Sequence, residues 1–264
     1  MKPKFSIVIP VYSEDNPNFD RKKTILRAIR SILNQQYPNW ELILVDDGSP
    51  DTIMEIVEKT FSDKRIKIVS QENQNRAIAR NNGMDNATGE WICWLDSDDE
   101  YCSHYLRELD KATVDFPEYK IFNFTSIIYF PDHVSEIRPV FKPKIEGKGH
   151  EYFRAGHIAC GSFIFRRDLW KSSKKYRIPD ECSPYGFAAV TGFDMRNPDR
   201  PELFTDKKMI EVRGALNIGD SLGNPWGDDF YQFYLLTRDN ISKPLDVALY
   251  IQYPRASEDK YDFF

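Results

Sequence analysis

Trp91-Ile92-Cys93-Trp94-Leu95-Asp96-Ser97-Asp98-Asp99 is an apolar run that ends abruptly in three carboxylates. The apolar part is short and carries two tryptophans, so it reads as a buried strand. The acids then stand at the strand's carboxyl end, where open α/β sheets bind their ligands. Carboxylates this close together repel one another and are costly to desolvate. A hard divalent cation that prefers oxygen ligands, Mg²⁺ or Mn²⁺, removes that cost, and such a cation generally brings an anionic ligand, most often a phosphate. For an Asp-x-Asp taken alone, the plain alternative is a solvated acidic turn. The rest of the chain decides between the two.

Working back toward the N-terminus, strand and helix patterns alternate. Phe5-Ser6-Ile7-Val8-Ile9-Pro10-Val11-Tyr12 is β-branched and apolar on both faces, as a buried parallel strand requires. Ile25, Ala28, Ile29, Ile32 and Leu33 follow helical spacing, and Asn34-Gln35-Gln36-Tyr37-Pro38 ends that helix. Glu41-Leu42-Ile43-Leu44-Val45-Asp46-Asp47 is a second strand, closed by Gly48-Ser49-Pro50. Residues 51–61 read as a helix, 65–69 as a third strand, 76–87 as a third helix stopped by Gly89, and 91–95 as the fourth strand. This βαβαβαβ rhythm predicts an α/β fold whose central sheet is mostly parallel, with right-handed crossovers and helices on both faces. Parallel strands place all their carboxyl ends on one edge. Tyr12, Asp46, Asp47, Asp96 and Asp98 are therefore expected in one crevice. A ring with carboxylates suits a nucleotide: the ring stacks on a base and an acid accepts the base's N–H.

Composition narrows the alternatives. The 264 residues are 41% hydrophobic and 14% aromatic, which supports a real core. A net charge of −5 gives no broad basic surface for nucleic acid. Cys93, Cys102, Cys160 and Cys182 lack metal-ligand spacing, so reduced thiols and a cytoplasmic setting are expected. The apolar run at the N-terminus is too short for a signal peptide, and no stretch approaches the length needed to span a bilayer. There is neither a GxGxxG nor a GxxxxGK[ST] sequence, which disfavours a dinucleotide dehydrogenase and a P-loop NTPase.

Beyond residue 105 the rhythm breaks. Strand-like runs are expected at Ile121–Phe130, Ser162–Phe165 and Met209–Val212, with loops over 131–150 and 171–207. Phe230–Leu236, following Gly227-Asp228-Asp229, reads as a helix with an aspartate at its start. The expected organisation is one compact domain in two halves, 1–105 holding a nucleotide and 106–264 recognising a variable partner.

Five segments carry a resemblance. Phe5–Tyr12, Val45-Asp46-Asp47-Gly48-Ser49, Ala79-Arg80-Asn81-Asn82-Gly83, Thr88-Gly89-Glu90-Trp91 and Leu95–Asp99 together resemble the family 2 glycosyltransferases of GT-A (Rossmann-like) fold. Trp226-Gly227-Asp228-Asp229 resembles that family's acidic pair at a helix start, with Asp228 where glutamate is more usual. Tyr250 to Ser257 resembles its C-terminal segment, with Arg255 in place of the frequent histidine.

The resemblance implies inverting, metal-dependent transfer from a nucleotide-sugar donor, a UDP-sugar foremost, to a glycan or lipid-linked acceptor. The setting it implies is cytoplasmic synthesis of a surface polysaccharide or lipooligosaccharide, with possible peripheral membrane contact. Carried over residue by residue, it assigns the donor to Pro10, Val11, Tyr12, Glu14, Asp46, Arg80, Asp96 and Ser97. It assigns Mn²⁺ or Mg²⁺ to Asp98 with Asp96, and the general base to Asp229, with Asp228 as the other candidate. Each position also has a plainer reading. Tyr12 is then strand-end packing, and Asp46 or Asp47 caps the turn at Gly48-Ser49. Arg80 pairs with a carboxylate on a helix surface, and Asp229 is a helix cap. The cluster Arg166, Arg167, Lys171, Lys174, Lys175 and Arg177 is either a solvated face or a dock for an anionic surface.

Two further classes stay open. A non-catalytic nucleotide-binding scaffold of the same fold would explain Asp228 and Arg255. A nucleotidyltransferase would need a basic, Gly-rich loop after the first strand, where this chain has Ser13-Glu14-Asp15-Asn16-Pro17.

Overall fold

The structure is a computed structural model, and it describes residues 4–14, 20–74, 76–129, 136–138, 161–172, 236 and 240–253. Within these, nine strands form one sheet in the order β3-β2-β1-β4-β8-β6-β9-β5, with β7 paired to β6. The parallel part comprises β1 (Phe5–Val11), β2 (Trp40–Asp46), β3 (Ile66–Ser70) and β4 (Trp91–Trp94). Their connections carry α1 (Arg21–Leu33), α2 (Ile53–Thr60) and α3 (Arg76–Asp85). The remaining elements are β5 (Glu100–Tyr101), α4 (Tyr105–Asp115), β6 (Ile121–Ile128), β7 (Glu136–Arg138), β8 (Phe163–Arg166), α5 (Arg167–Ser172) and β9 (Ser242–Gln252).

Every residue of β1 is buried, as its two-faced apolar pattern predicts. Alternation along the strand then sorts its side chains. Phe5, Ile7, Ile9 and Val11 pack with α1, α2 and α4 through Ile25, Ile29, Ile53, Val57, Leu106 and Leu109. Val8 points the other way and packs with α3 and α5 through Ala79, Met84, Leu169 and Trp170. Each such side chain contributes about 1.5–3 kcal/mol on burial. α1 starts where the Asp20 carboxylate accepts the Lys23 N–H at 3.0 Å and stops at Asn34. α3 lies close on the sheet at Gly83, where an added Cβ would stand 2.3 Å from Val8 Cγ1 and 2.9 Å from Val45 Cγ2.

The Thr88-Gly89 step is structural. Glu41 on β2 accepts from Ser6 Oγ at 2.6 Å, Thr88 N at 2.7 Å, Thr88 Oγ1 at 2.8 Å, Gly89 N at 3.1 Å and Lys67 Nζ at 2.7 Å. One buried carboxylate thus ties β1, β2, β3 and the entry to β4.

Several features depart from the sequence reading. Residues 105–115 form α4, although no helix is expected there. Residues 136–138 form β7, antiparallel to β6, inside a stretch read as loop, and residues 171–172 end α5 inside another. β9 runs parallel to β6 and antiparallel to β5. The expected strand at 209–212 lies outside the described residues. So does the expected helix at 230–236, except for Leu236, which is helical and buried.

Candidate functional site

The sheet order creates the site. From β1 the chain moves outward to β2 and then β3, and returns to place β4 on the other side of β1. The carboxyl end of β1 is therefore a topological switch point, flanked by the ends of β2 and β4. Val11 is in register with Asp46, and the Asp47 N–H donates to the Val11 carbonyl at 2.8 Å. On the other side the Leu95 N–H donates to the Val8 carbonyl at 3.1 Å. Pro10, Val11 and Tyr12, Asp46 and Asp96 are thereby gathered around one strand end.

Tyr12 is presented, not packed: it is 37% exposed while Val11 beside it is 1% exposed. Its hydroxyl donates to Glu14 Oε2 at 3.4 Å, and the Glu14 charge, with some burial, raises the phenol above its ordinary range. The plain strand-end reading of Tyr12 does not fit that exposure.

The loop after β2 is fixed by its own side chains. The Ser49 N–H donates to Asp46 Oδ1 at 3.0 Å, so Asp46 is the cap of this turn. Asp47 Oδ1 instead accepts from Gln71 Nε2 at 2.7 Å and the Gln74 N–H at 2.9 Å, which joins the loop to the segment after β3. Gly48 sits at φ +72°, and a Cβ there would lie 2.7 Å from the Asn73 nitrogen. The Ser13 N–H donates to Ser49 Oγ at 3.0 Å, and Ser13 Oγ donates to Asp51 Oδ2 at 2.7 Å, closing the β1 loop onto the β2 loop.

Beyond β4, ligand atoms of Asp96, Asp98 and Asp99 all lie within 4.8 Å of one another. Asp98 and Asp99 are buried, and Asp96 is half-buried. Arg80 does not pair on a helix surface. It is only 1% exposed, donates from Nη2 to Asp96 Oδ1 at 2.6 Å, and places its guanidinium 4.6 Å from the Trp94 ring centroid. Ser97 Oγ accepts from Arg21 Nη1 at 3.3 Å at the start of α1.

Asp99 is held on both oxygens. The Tyr250 hydroxyl donates to Oδ2, and the Tyr253 N–H donates to Oδ1 at 2.8 Å. Burial, with the charges of Asp98 and Asp96, pushes its carboxyl well above the usual range. Arg27 donates to the Asp98 carbonyl, pairs with Glu100 at 3.0 Å, and stacks on Tyr253 with 3.6 Å between guanidinium carbon and ring centroid. Asp96 and Asp98, with Asp99 buried against them, offer the oxygen donors that a small hard cation takes.

The sequence reading counted Asp99 among the three clustered acids without giving it a separate role, and it did not single out Arg27, Glu100 or Tyr253. For Tyr253 the C-terminal segment starting at Tyr250 gave a signal. Asp228, Asp229 and Arg255 lie outside the described residues. In the basic cluster, Arg166 pairs with Asp168 at 3.2 Å, and the Arg167 Nε donates to the Gly89 carbonyl. Among the described residues no helix is long and apolar enough to cross a membrane.

A family model described as "Glycosyl transferase family 2" matches residues 6–172, more than half of the chain. The uncharacterised glycosyltransferase RC0461 of Rickettsia conorii is 43% identical over 96 residues, 36% of this chain and 15% of that protein. WfgD of Escherichia coli, a UDP-Glc:alpha-D-GlcNAc-diphosphoundecaprenol beta-1,3-glucosyltransferase, is 38% identical over 120 residues, 42% of this chain and 47% of that protein. The matched stretch thus spans less than half the length of either relative. Among solved structures, S. aureus TarS 1-349 in complex with UDP superposes with a TM-score of 0.64 at 18% identity, over 95% of this chain and 60% of that one. At that identity the likeness is one of fold.

Proposed function

The chain belongs to glycosyl transferase family 2, and from that membership we propose that it transfers a sugar, with inversion, from a nucleotide-diphosphate sugar to a hydroxyl of a glycan or lipid-linked acceptor. The donor we favour is a UDP-sugar, and the process is assembly of a bacterial surface polysaccharide or lipooligosaccharide on the cytoplasmic side. The observation that carries this reading is the convergence at one switch point of an exposed ring, Tyr12, with Asp46 and the Asp96-Asp98-Asp99 cluster. WfgD, which is named for a UDP-glucose donor and a lipid-diphosphate acceptor, supports the choice of donor and acceptor class.

In this reading Tyr12 stacks on the base, and the chain at Pro10 and Val11 lies along it. Asp46 accepts the uracil N–H through its second carboxylate oxygen, the first being used by Ser49. Arg80 orients Asp96 toward the ribose and sugar while neutralising its charge. Glu14 and Ser97 border the same pocket.

Asp98, with Asp96, would hold Mg²⁺ or Mn²⁺, which when bound supplies charge neutralisation on the departing diphosphate. Asp229 takes the proton of the acceptor hydroxyl as that oxygen bonds to the anomeric carbon, with Asp228 as its alternate. A single base on the face opposite the leaving group, with no covalent intermediate, gives inversion. General-base assistance is worth roughly 10²–10⁴-fold, so Asp229→Asn should lose turnover and keep donor binding.

The test is thermal stability against UDP, GDP, dTDP and CDP, each with and without Mn²⁺. A ligand at 100 times its Kd adds about 2.7 kcal/mol, a rise of several degrees. UDP should give that rise only with Mn²⁺, and Asp98→Ala should abolish it. If no nucleotide shifts the melt and no sugar nucleotide is turned over, the proposal is wrong.

A further inference from the structure

We propose that Asp99, Tyr250 and Arg27 are positioning residues that set the pose of Asp98. Of the three clustered acids, Asp99 has both oxygens engaged by β9 and its exit, through the Tyr250 hydroxyl and the Tyr253 N–H. A carboxylate held in this way braces the acidic turn instead of ligating. Asp96 is likewise oriented by Arg80. Asp98 is the residue read above as the cation ligand, and its backbone is pinned from the other side, where Arg27 donates to its carbonyl. The inference rests on the reading of Asp98 as that ligand.

The brace is built across the whole chain. Tyr250 is 151 positions from Asp99 and fully buried. Its ring fits because residue 161 is glycine: at φ +75°, a Cβ there would stand 2.4 Å from Tyr250 Cε2 and 2.8 Å from the Trp94 carbonyl oxygen. Tyr101, whose hydroxyl donates to that same Trp94 carbonyl, meets the Tyr250 ring with 6.2 Å between centroids. Tyr253 closes the set by donating its hydroxyl to Glu100 at 2.8 Å while lying under Arg27. Groups that orient metal ligands from outside typically change metal affinity or activity by about 10–100-fold when removed.

The experiment measures Mn²⁺ binding in the presence of UDP, by electron paramagnetic resonance of free Mn²⁺. The proteins compared are the wild type, Asp98→Asn, Tyr250→Phe, Asp99→Asn and the Tyr250→Phe/Asp99→Asn double variant. Tyr250→Phe deletes one hydroxyl and keeps the ring, so it should fold. It should also weaken Mn²⁺ binding by about 10-fold. Asp99→Asn should do the same, and the double variant should lose little more than either single, because both remove one interaction. A purely structural role would lower the melting temperature and leave the Mn²⁺ affinity alone. If Asp98→Asn abolishes binding while Tyr250→Phe stays within twofold of wild type, the inference fails and the reading of Asp98 stands. If Asp98→Asn binds Mn²⁺ as the wild type does, that reading fails and takes the inference with it. Should Tyr250→Phe not fold, Asp99→Asn decides by the same twofold criterion.

Discussion

Arg80 shows how one buried side chain can be both scaffold and site. Its charge sits against the Trp94 ring and is matched by Asp96, whose side chain is 20% exposed. Arg80→Met keeps the stem but leaves Asp96 without its cation beside Asp98 and Asp99. Breaking a fully buried pair costs about 3–5 kcal/mol, and the exposure of Asp96 lowers the expected loss to roughly 2 kcal/mol. Urea unfolding should show that loss. Arg80→Lys should recover only part of it, since an ammonium stacks less well and cannot reproduce the planar fork. Wild-type stability in Arg80→Met would mean that the pair is incidental. The sequence placed Arg80 near the base or diphosphate, or else on a helix surface. It could not give the burial, because the covering groups come from β4 and the turn after it. Tyr12 and Asp46 were easier to place, since a residue that ends a parallel strand has its edge fixed by the strand alone.

At the scale of elements, Glu41 makes a pH-dependent joint. Burial disfavours its charge, but hydrogen bonds from Lys67, Ser6 and Thr88 more than offset this and lower its pKa from 4.5 to about 2. A carboxyl depressed in the folded state contributes stability that is fully present above its unfolded pKa and is lost as pH falls through the folded one. The window therefore runs from about pH 4.5 down to about pH 2. A shift of that size corresponds to roughly 3–4 kcal/mol. Glu41→Gln should be less stable than wild type at pH 7 by about that amount, and the gap should close on acidification to pH 2. Parallel stability curves across the window would show that Glu41 is not the joint. The Thr88-Gly89 pair was legible as a recurring motif, yet its reason lies in this carboxylate more than forty residues away. Other elements were illegible for local reasons. α4 has no side-chain cap at His104. β5 is two residues long. β9 contains Pro244, which argues against a strand unless one side is open. Among the described residues that side is open at Pro244, because β5 covers only Tyr250 and Ile251. β9 also slips register against β6 between Phe124 and Ser126.

For the whole molecule, the question is whether residues 1–105 and 106–264 are two units or one. The order of the described strands favours one unit. β8 pairs with β4, so the first half ends on an edge that the second half covers. β5 belongs to the first half by sequence but pairs with β9 near the C-terminus. Both faces of the core are shared as well. Leu106, Leu109 and Phe122 pack with β1 residues on one side, and Phe163, Phe165 and Trp170 pack with Val8 and Trp94 on the other. Periodicity could find the elements of each half but not this interleaving, which depends on pairs far apart in sequence. A fragment of residues 1–105 would leave Trp91, Ile92, Cys93 and Trp94 on an unpaired, uncovered edge. At about 1.5–3 kcal/mol for each large apolar side chain re-exposed, the loss rivals the 5–15 kcal/mol that a whole domain has. The fragment should therefore show no cooperative thermal transition and should bind no nucleotide, whereas the full chain should melt in one step through these shared contacts. Circular dichroism melts of both proteins decide the matter. A cooperative transition in the fragment, with Mn²⁺-dependent stabilisation by UDP, would mean that the nucleotide half folds alone and that the second half only adds the acceptor side. A flat melt would mean that β4 and the acidic turn after it take their shape only against the second half, where β8 pairs with β4 and Tyr250 holds Asp99.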